Sequence, residues 1–255
     1  MKTWENSGPI EACFISTKEN FLQNKVRGAN YISKYNFLKK ELVANTELIC
    51  AKVDDFSKFA DSKILVVGGG PTAVERDWNT EDYDYVFSCN HFFISEKLKD
   101  KKVDLCLLCD EVKVLSDDFI NYCKKFQPYI GFEDFNGSME DVQKLSEIFP
   151  DKVFQCLTRF QGKIGVAVKL IILATIFGAK QVDFIGVDGT PPDYKQGEIA
   201  LHSFQKNKVF ACGYPYDLLL QHYKTLKDYL ENDIGKDIIY NNLGAGHEYN
   251  NLSKL

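Results

Sequence analysis

Two apolar rhythms alternate along this chain. Short continuous runs rich in β-branched and aromatic residues recur at KILVVG (63–68), YVFSCN (85–90), DLCLLCD (104–110), YIGFED (129–134), KVFQCL (152–157), QVDFIGVD (181–188) and DIIYNNL (237–243). Unbroken runs of this kind predict strands buried on both faces. Between them DDFINYCKKF (117–126) and MEDVQKLSEIF (139–149) carry the helical period, and GKIGVAVKLIILATIFGA (162–179) is apolar almost all round, so it is expected to be sandwiched. Leu219, Tyr223, Leu226 and Leu230 share one helical face. Strands alternating with helices predict an α/β, Rossmann-like fold: a mostly parallel sheet with helices on both faces. Residues 1–61 precede the first such strand, and a stripe of Tyr31, Tyr35, Leu38 and Leu42 predicts a helical N-terminal extension packed on a core domain of 62–255. The irregular stretch 189–215 has the length of a lid or binding loop.

Composition narrows the function classes. The chain has 255 residues, 45% of them hydrophobic, enough for one large α/β domain or two small ones. A net charge of −5 argues against a general grip on nucleic acid, so no nucleic-acid partner is expected. The N-terminus MKTWENSGPIEACFIS has no apolar core of signal-peptide length, and the most apolar run is interrupted by Lys169. The eight cysteines are scattered, and Cys106/Cys109 form a lone CxxC without a second pair, so both are expected as core strand residues and the thiols as reduced in a cytoplasmic protein. Asp110 and Glu111 lack companions at metal-binding spacing, and no metal or cofactor is expected.

The candidate chemistry starts at Gly68-Gly69-Gly70-Pro71-Thr72, where a strand runs into glycines and then a helix opened by Pro71. Backbone N–H groups at such a terminus attract phosphate. Gly68-x-Gly70-x-x-Ala73 satisfies the dinucleotide fingerprint, but the acidic residue expected at the end of the second strand is replaced by Asn90. That amide can bind a base or ribose edge, yet it lacks the carboxylate expected for NAD or S-adenosylmethionine. No Lys-Ser/Thr follows the glycines, which excludes a P-loop, and no G-x-S-x-G occurs. A ligand-free tight turn stays open as the alternative. Arg159 and Lys163, before the buried helix, and Arg76, after the glycines, are cations that could meet an anion. Of the four histidines, His202 lies in the lid stretch, where a movable base would be useful, His91 at a strand end, His222 in the late amphipathic helix and His247 in a terminal loop.

The strand with VVGGGPT, the second strand ending in CN and the unit GVAVKLIILATIFGAKQVDFIGVDG resemble the bacterial lipooligosaccharide sialyltransferases and related Rossmann-like, pterin-linked proteins. In those transferases the first element reads Gly-Asn-Gly-Pro-Ser, and the later one is a helix, Gly-Tyr/Phe-Lys and a strand ending Gly-Ile-Asp. The counterparts are Gly68 to Thr72 and Gly178-Ala179-Lys180 leading to Gly186-Val187-Asp188. The resemblance implies a metal-independent glycosyltransferase using a CMP-activated sialic acid or related sugar, with a carbohydrate acceptor and a role in lipopolysaccharide assembly. Phosphate would lie on the glycine turn, Asn90 would bind the nucleotide, and Gly186 and Asp188 would shape the floor. A histidine would act as general base and lid tyrosines would bond the departing phosphate. Gly69 departs from the family asparagine and Thr190 from its first tyrosine; Tyr194 stands for the second, and His202 follows Asp188 more closely than the family histidine does. Peripheral membrane association through the acceptor and homo-oligomerisation stay open. Other readings are a pterin diphosphokinase-like or S-adenosylmethionine-dependent enzyme on the same scaffold, or a non-catalytic nucleotide-binding protein.

Overall fold

All seven apolar runs form strands in the computed structural model, which describes residues 14–16, 53–109, 111–132, 139–157, 165–190, 193, 197–199, 202–205, 208, 220, 223–224 and 226–254. In chain order the strands and α-helices are β1 (Phe14–Ser16), β2 (Lys63–Val67), α1 (Thr72–Glu75), β3 (Tyr85–Cys89), β4 (Leu105–Leu108), α2 (Asp117–Phe126), β5 (Tyr129–Phe132), α3 (Met139–Ile148), β6 (Val153–Leu157), α4 (Val166–Ile176), β7 (Gln181–Ile185) and β8 (Ile239–Asn242), the seven runs being β2 to β8. Strand β1 lies where only a helical stripe was expected; that stripe, Tyr31 to Leu42, falls outside the described residues, as does Leu219. The chain divides into two compact units, residues 1–58 with 104–162 and residues 59–103 with 163–255. Among the described residues, strand pairings within each unit are parallel except for β1 against β6. This is the α/β, Rossmann-like arrangement that the alternating pattern predicts.

In the first unit β4 pairs with β5, β5 with β6, and β6 with β1. Helix α2 has acids in its first turn and lysines in its last, both favourable to its dipole, and it ends on Gln127 in the left-handed region at φ 54°. It buries Phe119, Tyr122 and Cys123, one i, i+3, i+4 face. Burial pushes the Cys123 thiol up to about 12, so that sulfur is no nucleophile near neutral pH. Cys106 is fully buried in β4, as its apolar run predicts, whereas Cys109 lies just past the end of the strand and is half-buried. Phe56 packs on Tyr129 and Phe154 with ring centroids 5.2 and 5.0 Å away.

The second unit holds the order β3-β2-β7-β8, all parallel. From β2 the chain passes to β3 on one side, and from β7 to β8 on the other. The direction of winding therefore reverses between β2 and β7, and in open parallel sheets the crevice at the carboxyl ends of such a strand pair receives ligands. Helix α4 packs against β2, β3 and β7, and Val168 to Thr175 are all buried. Phe59 anchors the core beneath, with ring centroids 4.8 Å from Tyr85, 4.9 Å from Phe87 and 5.6 Å from Phe177. Tyr223, Leu226 and Leu230 of the predicted late helical face are buried. Among the described residues no helix is long and apolar enough to cross a membrane.

Candidate active site

Parallel register sets Val67 opposite Ile185, so the chain leaves β2 and β7 side by side. The two exits touch. The Gly68 amide donates to the Ile185 carbonyl and the Gly70 amide to the Gly186 carbonyl, each at 2.8 Å. A Cβ on Gly68 would collide with the Gly186 carbonyl oxygen, and one on Gly186, at φ 69°, with the Gly68 carbonyl oxygen. Only glycine at both places permits this approach.

Asp188 closes the contact. Its carboxylate accepts the Thr72 amide at 2.9 Å and the Thr72 hydroxyl at 2.7 and 2.9 Å, and it accepts the Asn250 side-chain amide at 3.0 Å. The Thr72 hydroxyl oxygen in turn accepts the Gly186 amide at 3.0 Å. Thr72 is 0% exposed and Asp188 2%, so these bonds form away from water, where each is hard to replace. The segment after β8 completes the brace. Asn251 donates its backbone amide to the Asp188 carbonyl at 2.7 Å and its side-chain amide to the Thr190 carbonyl at 3.0 Å. His247 bonds Glu75, the last residue of α1, through Nε2 at 2.8 Å.

The turn that sequence reading offered to phosphate is therefore largely occupied from within. The amides of Gly68, Gly70, Thr72 and Ala73 all bond protein acceptors. That of Gly69 has no partner among the described residues. Helix α1 runs only from Thr72 to Glu75, a single turn with little dipole to offer an anion.

What does meet the turn is His202. A Cβ on Gly69 would collide with Nε2 and Cε1 of the His202 imidazole, so the ring rests directly on the bare glycine. Ser203 fixes that seat: its amide donates to the Gly69 carbonyl at 2.8 Å and its hydroxyl to the Gly70 carbonyl. The other ring nitrogen, Nδ1, accepts the amides of Phe204 and Gln205 at 3.2 Å each.

The ends of two strands, a glycine turn and a histidine seated upon it thus meet at one place. The chain is similar to sialyltransferases of Campylobacter jejuni. Cst-I, a monofunctional α-2,3-sialyltransferase, is 17% identical, with 73% of this chain and 76% of that one covered and a TM-score of 0.45. CstII, in complex with the substrate analogue cytidine-5′-monophosphate, is 18% identical over 72% of this chain and 80% of that one, at a TM-score of 0.44. No family model and no curated protein matches the sequence.

The other residues singled out from sequence fall as follows. Pro71 caps α1 at φ −59°. Asn90 follows β3 in the left-handed region, at φ 51°, half-buried. Asp188, expected to shape the floor of the nucleotide site, has its carboxylate engaged by Thr72 and Asn250 and braces the turn. Arg159, Lys163, Tyr194 and His222 lie outside the described residues. His91 heads the short turn Phe92–Ile94, its ring tilted against Phe93 at 6.1 Å. Sequence reading missed Asn250, Asn251 and Ser203. The signal for the first two was present, since paired asparagines in a glycine-rich polar stretch after the last strand suit side-chain bonding to backbone.

Proposed function

We propose that this chain is a glycosyltransferase that moves a sugar, sialic acid or a related one, from a CMP-activated donor to a carbohydrate acceptor. One observation carries the reading: His202, taken from the sequence as a group of the reaction, rests on Gly69 of the turn taken independently as the phosphate site. The winding reversal between β2 and β7 supports it, because it places this meeting point where open parallel sheets bind ligands. Asn90, at the end of the neighbouring strand, is the candidate contact to the nucleoside, and Gly186 and Asp188 hold the floor.

In the reaction, the acceptor hydroxyl oxygen bonds the anomeric carbon as the bond from that carbon to the phosphate oxygen breaks. The electron pair goes with the phosphate, CMP departs without help from a metal, and the hydroxyl proton passes to the general base, the role the resemblance gives to His202, and from there to solvent. Thermal-shift titration with CMP, CDP, UDP, ATP, NAD and S-adenosylmethionine, each with and without EDTA, tests the reading. Stabilisation by CMP that EDTA leaves unchanged is expected. Stabilisation by ATP with Mg²⁺ alone would support the diphosphokinase-like alternative instead, and CMP binding without transfer would leave a nucleotide-binding protein.

A further inference from the structure

We infer that Ser203 is a positioning residue of the transfer reaction: its amide and hydroxyl clasp the carbonyls of Gly69 and Gly70 and so hold the His202 ring against the glycine turn. The inference rests on the CMP-sugar reading of this site and goes beyond it by naming what sets the histidine in place.

The turn is held along two edges. Its amides are engaged from β7 and just beyond, where Gly68 donates to the Ile185 carbonyl, Gly70 to the Gly186 carbonyl and Thr72 to the Asp188 carboxylate. Its carbonyls at Gly69 and Gly70 are taken by Ser203, whose amide donates to the first at 2.8 Å and whose hydroxyl donates to the second. The Gly70 carbonyl also accepts the Ala73 amide at 3.2 Å, so the hydroxyl uses its second lone pair. One edge shapes the turn, and the other docks a separate segment upon it. With its hydrogen committed to a carbonyl, the Ser203 hydroxyl holds and does not attack.

The imidazole travels with that segment. Nδ1 of His202 accepts the amides of Phe204 and Gln205 at 3.2 Å each, bonds to its own stretch of chain. Phe204 is buried, and its ring stands T-shaped to the imidazole with centroids 5.7 Å apart. Residues 202–205 thus form one piece, and the two directional bonds of Ser203 fix where that piece meets the turn. A single N–H···O bond would leave the segment able to pivot about it. The hydroxyl removes the pivot, and for a group of the reaction a misplacement of about 1 Å costs about 10²-fold in rate.

Transfer assays and CMP titrations on the full chain test the inference. Ser203→Ala is expected to lower kcat about 10- to 100-fold at saturating donor. The Kd for CMP is expected to stay within about twofold, because the amide edge of the turn does not need Ser203. Ser203→Thr, which keeps the hydroxyl, is expected to retain most of the rate, and Ser203→Cys, a weaker donor, to fall between. A readout that needs no acceptor is the His202 ring in the chain labelled with ¹⁵N at histidine, assigned by its loss in His202→Gln. Its signals are expected to shift with CMP in the wild-type chain and the Thr variant, and to shift less in the Ala variant. Wild-type kcat in Ser203→Ala, a Thr variant as slow as the Ala variant, or a CMP affinity that falls in step with kcat would overturn the positioning role. If Ser203→Ala does not fold, wild-type kcat in Ser203→Cys would do the same. In each of these cases the CMP-sugar reading survives as long as the wild-type chain binds CMP. Failure of the wild-type chain to bind CMP would overturn both.

Discussion

Strand β7 carries one buried aspartate within it and another just beyond its end, and the two are held in different ways. Asp183, 4% exposed, accepts from the Tyr83 hydroxyl at 2.9 Å, the Gln181 amide at 2.8 Å and the Asn241 amide at 2.7 Å, with Lys63 at 3.8 Å. All of its partners here are side chains, none of them fully buried, and one is a cation. Asp188, 2% exposed, accepts a backbone amide as well as a hydroxyl, and its own carbonyl receives the amide of Asn251. The first carboxylate decorates a sheet whose ladder exists without it. The second joins chain segments that no ladder connects, and so the shape of the glycine turn depends on it.

Removing each carboxylate tests that difference most strongly. Asp188→Ala is expected to lower unfolding free energy by about 3 kcal/mol or more in urea titration, because each buried donor left unmet costs about 1–3 kcal/mol. Asp183→Ala is expected to cost about 1–2 kcal/mol, since its partners can turn to water. Equal losses would break the comparison.

The glycines sharpen it. An alanine at Gly68 meets backbone and must push β2 and β7 apart at their ends, an overpacking cost of about 1–3 kcal/mol. At Gly69 the three atoms nearest the methyl all belong to the His202 ring, a side chain rather than backbone, and the backbone there is outside the left-handed region. Gly69→Ala is therefore expected to change stability by less than about 1 kcal/mol while weakening CMP binding, and Gly68→Ala to lose stability first.

The smallest effect is alkaline. Burial first, and the charge of Asp188 second, raise the Tyr223 hydroxyl well above its usual range. Above about pH 10 an unfolded tyrosine ionises while the buried one stays protonated. The folded chain then holds a proton that the unfolded one has lost, so stability falls as pH rises, by about 1.4 kcal/mol per pH unit for each such group. Tyr223→Phe is expected to flatten that fall and to leave the slope unchanged at neutral pH, which urea midpoints across the range would show.

The strands and helices α2, α3 and α4 were legible because burial on both faces or on one stripe leaves a period in the chain. The glycine turn was legible for the same local reason. The brace was not: Thr72 and Asp188 lie 116 residues apart and Asp188 and Asn250 a further 62, and nothing in a linear pattern announces which polar residues will meet. Nor could sequence tell that Gly186 takes the Gly70 amide, which is why the turn read as open to phosphate when most of its donors are engaged. Strand β1, three residues long, is too short to carry a period of its own.

The central claim is that a CMP-bearing donor binds where His202 rests on Gly69. Calorimetric titration of the wild-type chain and Gly69→Ala with CMP, in EDTA, tests it most directly. The account predicts binding to the wild-type chain and a loss of about tenfold or more in the variant, equivalent to about 1.4 kcal/mol, with both proteins folded. Unchanged affinity in the variant, or no CMP binding by the wild-type chain, would contradict it.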